Sequence, residues 1–381
     1  MFSYKYIPVQ NEQNLKLYKY TGCDNSLLYN YILGPIAELI LKITPPWIAP
    51  NTLTLMGFLC VLIPHLILWY MFPDKLEGDV PRWYCLFISL MHLVYMNFDN
   101  LDGKQARKTG NSSPMGLLFD HGCDAMIVFV QGITLATCMG FGNNYLAYLV
   151  FASGAIPFYI TTLEEYYTDI MYLPLINGAA EGCFAVGFFI FVSGLYGPEF
   201  WGVDFLMGMN RREFTLFAIL VAGFITCLNI LYRIYLKKGW KILVEAIQNT
   251  GFSFFIHGAI TYIFFFSPAN IGFTHTRLLM YVSGLHWCKS CSILQMCHVS
   301  RSEYNQFRKA SFLLFVPLLG NTIAGQILGS APVCEVLMLQ IVLVLSLIVY
   351  LHMVISSINQ FCAALNIRTF YVKPVDTKKT S

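Results

Sequence analysis

Four aspartates lie close together in a chain that has few charged residues. Asp99 and Asp102 are three positions apart, and Asp120 and Asp124 are four positions apart. Side chains at these spacings share one face of a helix. Two adjacent antiparallel helices joined by a short connection would therefore direct all four carboxylates into a single pocket.

Metal binding is the chemistry that this arrangement predicts. Four unpaired negative charges repel one another in one pocket, and two divalent cations would neutralise them. Carboxylate oxygens without a thiolate favour Mg²⁺ or Mn²⁺ over Zn²⁺. Two such ions suit a displacement at phosphorus in a diphosphate, because they stabilise both the attacking and the leaving oxygen.

Small residues and one arginine accompany the aspartates. We expect Gly103 to free the backbone where its helix ends, and Ala106 to leave room beside the ions. Gly116 lies one turn before Asp120 and would let the backbone approach a ligand closely. Arg107 offers a planar fork of donors to phosphate oxygens. These residues predict a site for a phosphorylated ligand.

The elements that carry these residues are predicted to be membrane helices. Of 381 residues only 12% are charged and 56% are hydrophobic, whereas about 25% are charged in an ordinary soluble protein. A membrane span needs about 20 mostly apolar residues. We identify ten such segments, at 52–72, 83–99, 115–140, 143–162, 182–197, 214–236, 252–267, 276–297, 311–330 and 333–359. The predicted fold class is an all-α, polytopic integral membrane protein with about ten transmembrane helices.

A further helix is predicted before the first span. Residues 27–43 are apolar on one side and carry Glu38 and Lys42 on the other, and the pair Pro45-Pro46 ends the segment. This pattern indicates an amphipathic helix in the membrane interface. The predicted organisation is an N-terminal segment with this helix (1–46), a membrane domain (47–360) and a C-terminal tail (361–381).

The distribution of Lys and Arg predicts the orientation. Basic residues are concentrated before span one, after spans two, six and eight, and in the C-terminal tail, which places both termini in the cytosol. Lys104 and Lys108 belong to this set and fit either a topology signal or a ligand contact. The first 20 residues lack the pattern of a cleaved signal peptide. A net charge of +3 gives no reason to expect a nucleic-acid partner.

The end of the chain carries a candidate localisation signal. Lys378 and Lys379 are the fourth and third residues from the C-terminus. Two lysines at these positions of a cytosolic tail resemble the dilysine retrieval signal of endoplasmic reticulum membrane proteins. We therefore expect the endoplasmic reticulum membrane, with the Golgi as the neighbouring alternative.

The site residues also match a family motif. The chain contains, without a gap, Asp102-Gly103, two residues, Ala106-Arg107, eight residues, Gly116, three residues, Asp120, three residues and Asp124. This series resembles the motif of the CDP-alcohol phosphotransferase family. The flanking stretches 102–107 and 119–124 are similar to those of the eukaryotic choline and ethanolamine phosphotransferases, and the resemblance extends over nearly the whole chain.

The resemblance implies a reaction and a set of roles. Phosphoethanolamine or phosphocholine would be transferred from CDP-ethanolamine or CDP-choline to the hydroxyl of diacylglycerol, with release of CMP. His121 would be the general base, because a neutral imidazole accepts a proton near pH 7. The implied metal ligands for two Mg²⁺ or Mn²⁺ ions are Asp99, Asp102, Asp120 and Asp124. The implied substrate-binding residues are Asn51, Gly103, Ala106, Arg107, Asn111 and Gly116.

Two of these roles have alternatives. Glu181 is implied to be catalytic by orienting His121, but a carboxylate at the start of a helix is also favoured by the helix dipole. Asn51 is implied to contact the CDP substrate, and it could equally be an N-cap residue. Members of the family with known structure are typically homodimers, so a homodimer is expected here as well.

The chain departs from the family pattern at two positions. Leu117 stands where the family usually has a glutamate that raises the basicity of the histidine, which leaves Glu181 as the expected substitute. Gly110 stands where the family commonly has asparagine, and Asn111 follows it, so the nucleotide contact is expected to shift by one residue.

Three alternative assignments use some of the same features of the sequence. A cation-coupled transporter would use the same carboxylates to bind transported ions, but would need them near the bilayer midplane on broken helices. A catalytically impaired family member is suggested by Leu117 alone. A zinc site is conceivable at Cys288, Cys291 and Cys297 with His298, but a buried helix face is expected there because closed zinc sites normally lie in polar loops.

Overall fold

The protein is a bundle of long helices. The computed structural model describes residues 4–73, 75–76, 80–307 and 309–372. The longer helices in this part of the chain are α1 (Gly34–Ile43), α2 (Pro50–Met71), α3 (Arg82–Lys108), α4 (Pro114–Cys138), α5 (Tyr145–Thr168), α6 (Cys183–Tyr196), α7 (Arg211–Lys238), α8 (Trp240–Gln248), α9 (Gly251–Phe266), α10 (Thr276–Ser300), α11 (Lys309–Leu328) and α12 (Glu335–Leu365). Each of the ten predicted spans coincides with one of these helices, and a wide π-helical turn precedes both α1 and α6.

Seven of the helices are long and apolar enough to cross a membrane. They are α2, α4, α5, α6 together with its preceding turn, α7, α11 and α12. The polytopic helical membrane fold is thereby confirmed, whereas the number of ten spans stays a prediction. The other three predicted spans lie in α3, α9 and α10, which are not among the helices that are long and apolar enough. Helix α3 continues into a charged end, α9 has only 16 residues, and α10 carries several polar side chains.

Helix α10 forms the centre of the bundle. Nearly every one of its residues is buried, and it packs against α4, α5, α9 and α12. Its polar side chains therefore face protein, where hydrogen-bonding groups replace water; His286 Nδ1, for example, lies 2.7 Å from Ser311 Oγ. The buried face expected for Cys288, Cys291 and Cys297 is observed.

The two helices that carry the aspartates are held apart. Helix α3 packs on α2 and α6, while α4 packs on α2, α5 and α10. A connection of five residues joins α3 to α4. In the described part of the chain, however, these two helices do not pack closely on each other. The expected hairpin thus opens into a cleft, with α2 contacting both of its walls.

The end of α3 anchors α1. Lys104 Nζ lies 3.1 Å from Glu38 Oε1, and Lys108 Nζ donates to the carbonyl oxygens of Leu41 and Thr44 at the end of α1, at 2.7 and 3.0 Å. The two lysines therefore position the amphipathic helix through direct contacts. The opposite side of α1 exposes apolar residues, among them Leu39, as an interfacial helix requires. Its location in a membrane interface stays a prediction.

The N-terminal segment lies across one end of α5, α10 and α12. Asn14 donates to the carbonyl oxygen of Ser300 at the end of α10 at 2.9 Å. Strand β1 (Gly22–Asp24) pairs in parallel with β2 (Met171–Leu173), which follows α5. Gln360 and Lys5 donate hydrogen bonds to Glu12 and lower the pKa of its carboxyl group. These contacts fix the segment that brings Tyr18 to the bundle.

Replacing Gly132 by alanine should destabilise the protein by about 1–3 kcal/mol, a typical effect of overpacking. A Cβ atom at position 132 would lie only 2.9 Å from Cα of Phe151, so α4 and α5 would have to separate. Thermal unfolding in detergent should show a lower midpoint. The matched control is Gly258→Ala, where a Cβ atom meets nothing within 4 Å. An unchanged midpoint for Gly132→Ala would contradict the close contact of α4 and α5.

Candidate active site

The start of α4 determines where its functional side chains lie. The Oγ of Ser113 accepts a hydrogen bond from the backbone N–H of Gly116 at 3.1 Å, and Pro114 occupies the first helical position. Both features are typical of a helix N-terminus. Asp120, His121 and Asp124 consequently occupy the second and third turns, on the wall of the cleft that faces α3.

Three aspartates converge in this cleft. Asp99 on α3 and Asp120 and Asp124 on α4 each offer a carboxylate oxygen, and the three oxygens lie within 4.8 Å of one another. Asp124 Oδ1 also accepts from the Tyr95 hydroxyl at 3.3 Å. Within the described part of the chain, this is the only group of three such side chains close enough to share a metal ion.

The fourth aspartate lies at the edge of the cluster. Asp102 is buried, and its Oδ2 accepts a hydrogen bond from the hydroxyl of Thr54 on α2. Its carboxyl group also interacts with Asp99 and Asp120. Asp102 thus adds a fourth negative charge to the site, while α2 fixes one of its two oxygens.

The donor set fits a hard divalent cation. Carboxylate oxygens that converge from two helices are the ligands that Mg²⁺ and Mn²⁺ prefer. Asp120 Oδ1 is buried, and it has no hydrogen-bond partner among the described residues. An unpartnered carboxylate oxygen beside three further carboxyl groups favours either a bound cation or a proton, because desolvation and repulsion disfavour four adjacent negative charges.

His121 is buried beside the cluster. It directly follows Asp120 on α4, and its side chain is 9% exposed. Its Nδ1 is buried without a hydrogen-bond partner in the described structure, although the side-chain amide of Gln295 on α10 lies beside the ring. The histidine is therefore adjacent to the aspartates, as its predicted role requires, and its role as a base stays a prediction.

Glu181 is occupied elsewhere. Its Oε1 accepts from the backbone N–H of Leu28 at 3.0 Å, and its Oε2 accepts from the backbone N–H of Asn177 at 3.0 Å. The first contact holds the segment before α1, and the second lies at the start of the helical turn that leads into α6. The contacts agree with the helix-start alternative, and its orienting role toward His121 remains untested.

Arg107 is the exposed cation of the site. Its guanidinium lies over Gly103, where a Cβ atom would be 3.5 Å from Nη1. In the part of the chain that the structure describes, no ion pair of Arg107 is found. The expectation that the helix ends at Gly103 is wrong: α3 continues to Lys108. Gly103 instead lies within the last part of α3, under the Arg107 guanidinium.

The predicted substrate residues lie around the same opening. Asn51 is in the first turn of α2, whose N-cap is Ala49, so the N-cap alternative for Asn51 is wrong. Its amide donates to the carbonyl oxygen of Thr369 in the C-terminal segment at 2.8 Å, and a substrate at Asn51 would displace this contact. A Cβ atom on Gly116 would lie 3.5 Å from Asn51 Oδ1.

The loop after α3 holds the last of these residues. The backbone N–H of Asn111 donates to the carbonyl oxygen of Ala106 at 2.9 Å, and its side chain donates to the Thr109 carbonyl at 2.7 Å. Asn111 therefore closes the end of α3 in this structure. Its contact with a nucleotide stays a prediction.

Two residues near the site have no counterpart in the sequence-based prediction, and two carboxylates that the sequence offered as neighbours of the substrate amine have unforeseen partners. Thr54 holds Asp102, and Gln295 lies beside His121. Glu164 and Glu165 are almost completely buried at the end of α5, which extends to Thr168. Two adjacent carboxylates at the end of an apolar segment were a visible signal, but their partners on other helices were not.

Comparisons with known proteins relate the chain to a family of transferases. Residues 47–195 match the family model described as CDP-alcohol phosphatidyltransferase. The chain is 28% identical to choline/ethanolaminephosphotransferase 1 of Arabidopsis thaliana, covering 96% of this chain and 98% of the relative. It is 28% identical to human ethanolaminephosphotransferase 1 over 80% of each chain. It is 36% identical to choline/ethanolaminephosphotransferase 1 of Saccharomyces cerevisiae over 51% of this chain and 49% of the relative.

Proposed function

Since the chain belongs to the CDP-alcohol phosphatidyltransferase family through its residues 47–195, we propose that it transfers a phosphorylated amino alcohol to diacylglycerol. The donor is CDP-ethanolamine or CDP-choline, and the products are CMP and phosphatidylethanolamine or phosphatidylcholine. The relatives that match along most of the chain are named for these two activities. The carboxylate cluster between α3 and α4 is the structural observation that carries the proposal.

The cleft supplies groups for each part of the reaction. Asp99, Asp120 and Asp124 would hold divalent cations, with Asp102 as a further ligand through its remaining oxygen. Two bound Mg²⁺ or Mn²⁺ ions would supply electrostatic stabilisation to the diphosphate and to the leaving CMP. Arg107 offers paired donors to the phosphate oxygens at the open side.

His121 is proposed to accept the hydroxyl proton of diacylglycerol. A lipid hydroxyl has a very high pKa, so attack on phosphorus requires a base. The proton would go to an imidazole nitrogen while the hydroxyl oxygen forms its bond to phosphorus and the bond to the CMP oxygen breaks. Burial of His121 keeps water from this position and lowers the chance that water replaces the lipid as the nucleophile.

The oligomeric state, the membrane in which the protein resides and its orientation are further parts of the proposal. We propose a homodimer, which the resemblance to the family implies and which native mass spectrometry in detergent would test. We propose that both termini are cytosolic from the distribution of basic residues, and that the protein resides in the endoplasmic reticulum membrane from the dilysine pair near the C-terminus. The dilysine pair at 378–379 lies outside the described residues, and replacing both lysines should redistribute the tagged protein from the endoplasmic reticulum.

A transfer assay on the purified protein tests the proposed function. Protein in diacylglycerol-containing micelles should convert CDP-ethanolamine, CDP-choline or both to phospholipid, with one CMP released per lipid formed. Competition between the two CDP-alcohols at equal concentration would assign the head group. Cation flux in proteoliposomes without CMP release would favour a transporter, and CDP-alcohol binding without product would identify an impaired family member. The continuous helices that carry the carboxylates argue against the transporter.

Replacing Arg107 by alanine should raise KM for the CDP-alcohol by about 10–100-fold, since hydrogen bonds to a charged group contribute about 1.5–3 kcal/mol each. KM for diacylglycerol should change little, because the guanidinium is predicted to contact only the diphosphate. Lysine should restore part of the affinity through its charge but not the paired geometry. Lys237→Ala, on the exposed end of α7, is the control. An unchanged KM for the CDP-alcohol in Arg107→Ala would contradict the assigned contact.

A further inference from the structure

The ring of His121 has an unexplained feature. Its Nδ1 is buried and has no hydrogen-bond partner in the described part of the structure. A buried polar nitrogen in this state is costly and rare. Its neighbour Gln295 shows the complementary defect, because Oε1 of this amide is also buried and without a partner. The two groups lie beside each other across the contact between α4 and α10.

The packing of α4 on α10 is what brings these side chains together. Gly122 follows His121, and a Cβ atom there would lie 3.9 Å from the Oγ of Ser292, which is one turn before Gln295 on α10. Position 122 of α4 therefore faces α10 close to Gln295. Gln295 itself is buried, at 1% exposure.

Glu165 sets the orientation of the Gln295 amide. Gln295 Nε2 donates to Glu165 Oε2 at 3.3 Å. In this arrangement the amide turns its NH₂ group toward Glu165 and its oxygen away. Oε1 of Gln295 then remains as an acceptor for a neighbouring donor, and the neighbour is His121.

Glu165 is in turn fixed at the end of α5. It is 1% exposed, and its Oε1 lies 3.5 Å from Nε2 of His298. The hydroxyl of Tyr18, from the N-terminal segment, lies 3.2 Å from the same nitrogen. The series from Tyr18 through His298 and Glu165 to Gln295 is therefore continuous and ends at the proposed base.

We propose that Gln295, oriented by Glu165, is the positioning residue for His121. This inference rests on the proposed function. The Nδ1–H of His121 would donate to Gln295 Oε1, which selects the tautomer whose Nε2 carries a lone pair and fixes the ring plane. Nε2 would then be the nitrogen that accepts the hydroxyl proton. Neither Gln295 nor Glu165 contacts substrate in this scheme.

Substitution of Gln295 by methionine tests the proposal. Methionine has a similar length and no donor or acceptor, so the pocket stays filled. We expect kcat to fall by about 10–100-fold, as a small misplacement of a catalytic group does. KM for both substrates and the affinity for CDP-ethanolamine should change by less than about 2-fold, consistent with a loss confined to the transition state.

Glu165 offers a test with a conservative variant. Glu165→Gln keeps an oxygen that accepts from Gln295 and should retain most of kcat, whereas Glu165→Ala should lose as much as Gln295→Met. The matched control is Glu164→Gln at the adjacent position. The Glu164 carboxylate pairs with Arg233 through two contacts, at 2.7 and 2.6 Å, and points away from Gln295. Glu164→Gln should lower the unfolding temperature, but it should not cause the fall in kcat at constant KM that is expected for Gln295→Met.

A double-mutant cycle separates this inference from the proposed function. If Gln295 acts through His121, Gln295→Met should cause no additional loss in a His121→Ala background. An additional loss there, or a normal kcat in Gln295→Met beside an inactive His121→Ala, would reject the positioning role alone. Absence of CDP-alcohol transfer by the unmodified protein would reject the proposed function itself.

Discussion

Asp120→Ala is expected to reduce kcat/KM by about 10³-fold or more, which is at or above the usual cost of removing one group that stabilises charge in a transition state. The physical reason is the position of Asp120 at the centre of the cluster. It lies with Asp99 and Asp124 in the group whose oxygens are within 4.8 Å, and it interacts with Asp102. Its removal would take one of the proposed ligands from the metal site.

Metal binding provides a readout that does not depend on turnover. Titration of the purified protein with Mn²⁺, followed by electron paramagnetic resonance, should show two bound ions in the unmodified protein. Asp120→Ala should show weaker binding and fewer ions. The matched control is Asp204→Ala, because Asp204 is exposed in strand β3 (Asp204–Leu206), away from the cleft. Unaltered Mn²⁺ binding by Asp120→Ala, or activity that survives complete chelation of divalent metals, would refute the assigned ligands.

His121→Ala is expected to reduce kcat by about 10²–10⁴-fold, the usual contribution of a positioned general base. KM for the CDP-alcohol and the number of bound Mn²⁺ ions should remain close to their normal values. The reason is that the imidazole is proposed to contact neither the metal ions nor the CDP-alcohol. Kinetics with saturating diacylglycerol, combined with the Mn²⁺ titration, would measure both. The control is His275→Ala, which removes a half-buried imidazole at the N-cap of α10, at the end of this helix opposite Gln295.

Two results would contradict this role of His121. Full activity of His121→Ala would show that another group accepts the proton. Equal losses of transfer and of metal binding would show instead that the histidine supports the aspartates next to it.

The sequence by itself determined the features that are local along the chain. The spacing of Asp99 from Asp102, and of Asp120 from Asp124, predicts that each pair shares a helix face, because the period of 3.6 residues per turn is a property of the backbone alone. The ten apolar segments all coincide with helices, because a segment in lipid must satisfy its backbone hydrogen bonds internally. Scarcity of charge in these segments made the aspartates stand out, since an ionised group in a membrane span is costly and is usually functional.

Only the tertiary structure decided how side chains from distant helices meet. Helix α3 continues past Gly103, and Lys104 and Lys108 in this last part bind α1, a contact between segments far apart in the sequence. Glu181 contacts two backbone amides, whereas Gln295, from the centre of the bundle, lies beside His121. These pairings depend on which helices pack together. Helix packing follows from shape and volume over the whole bundle, and no local spacing in the sequence records it.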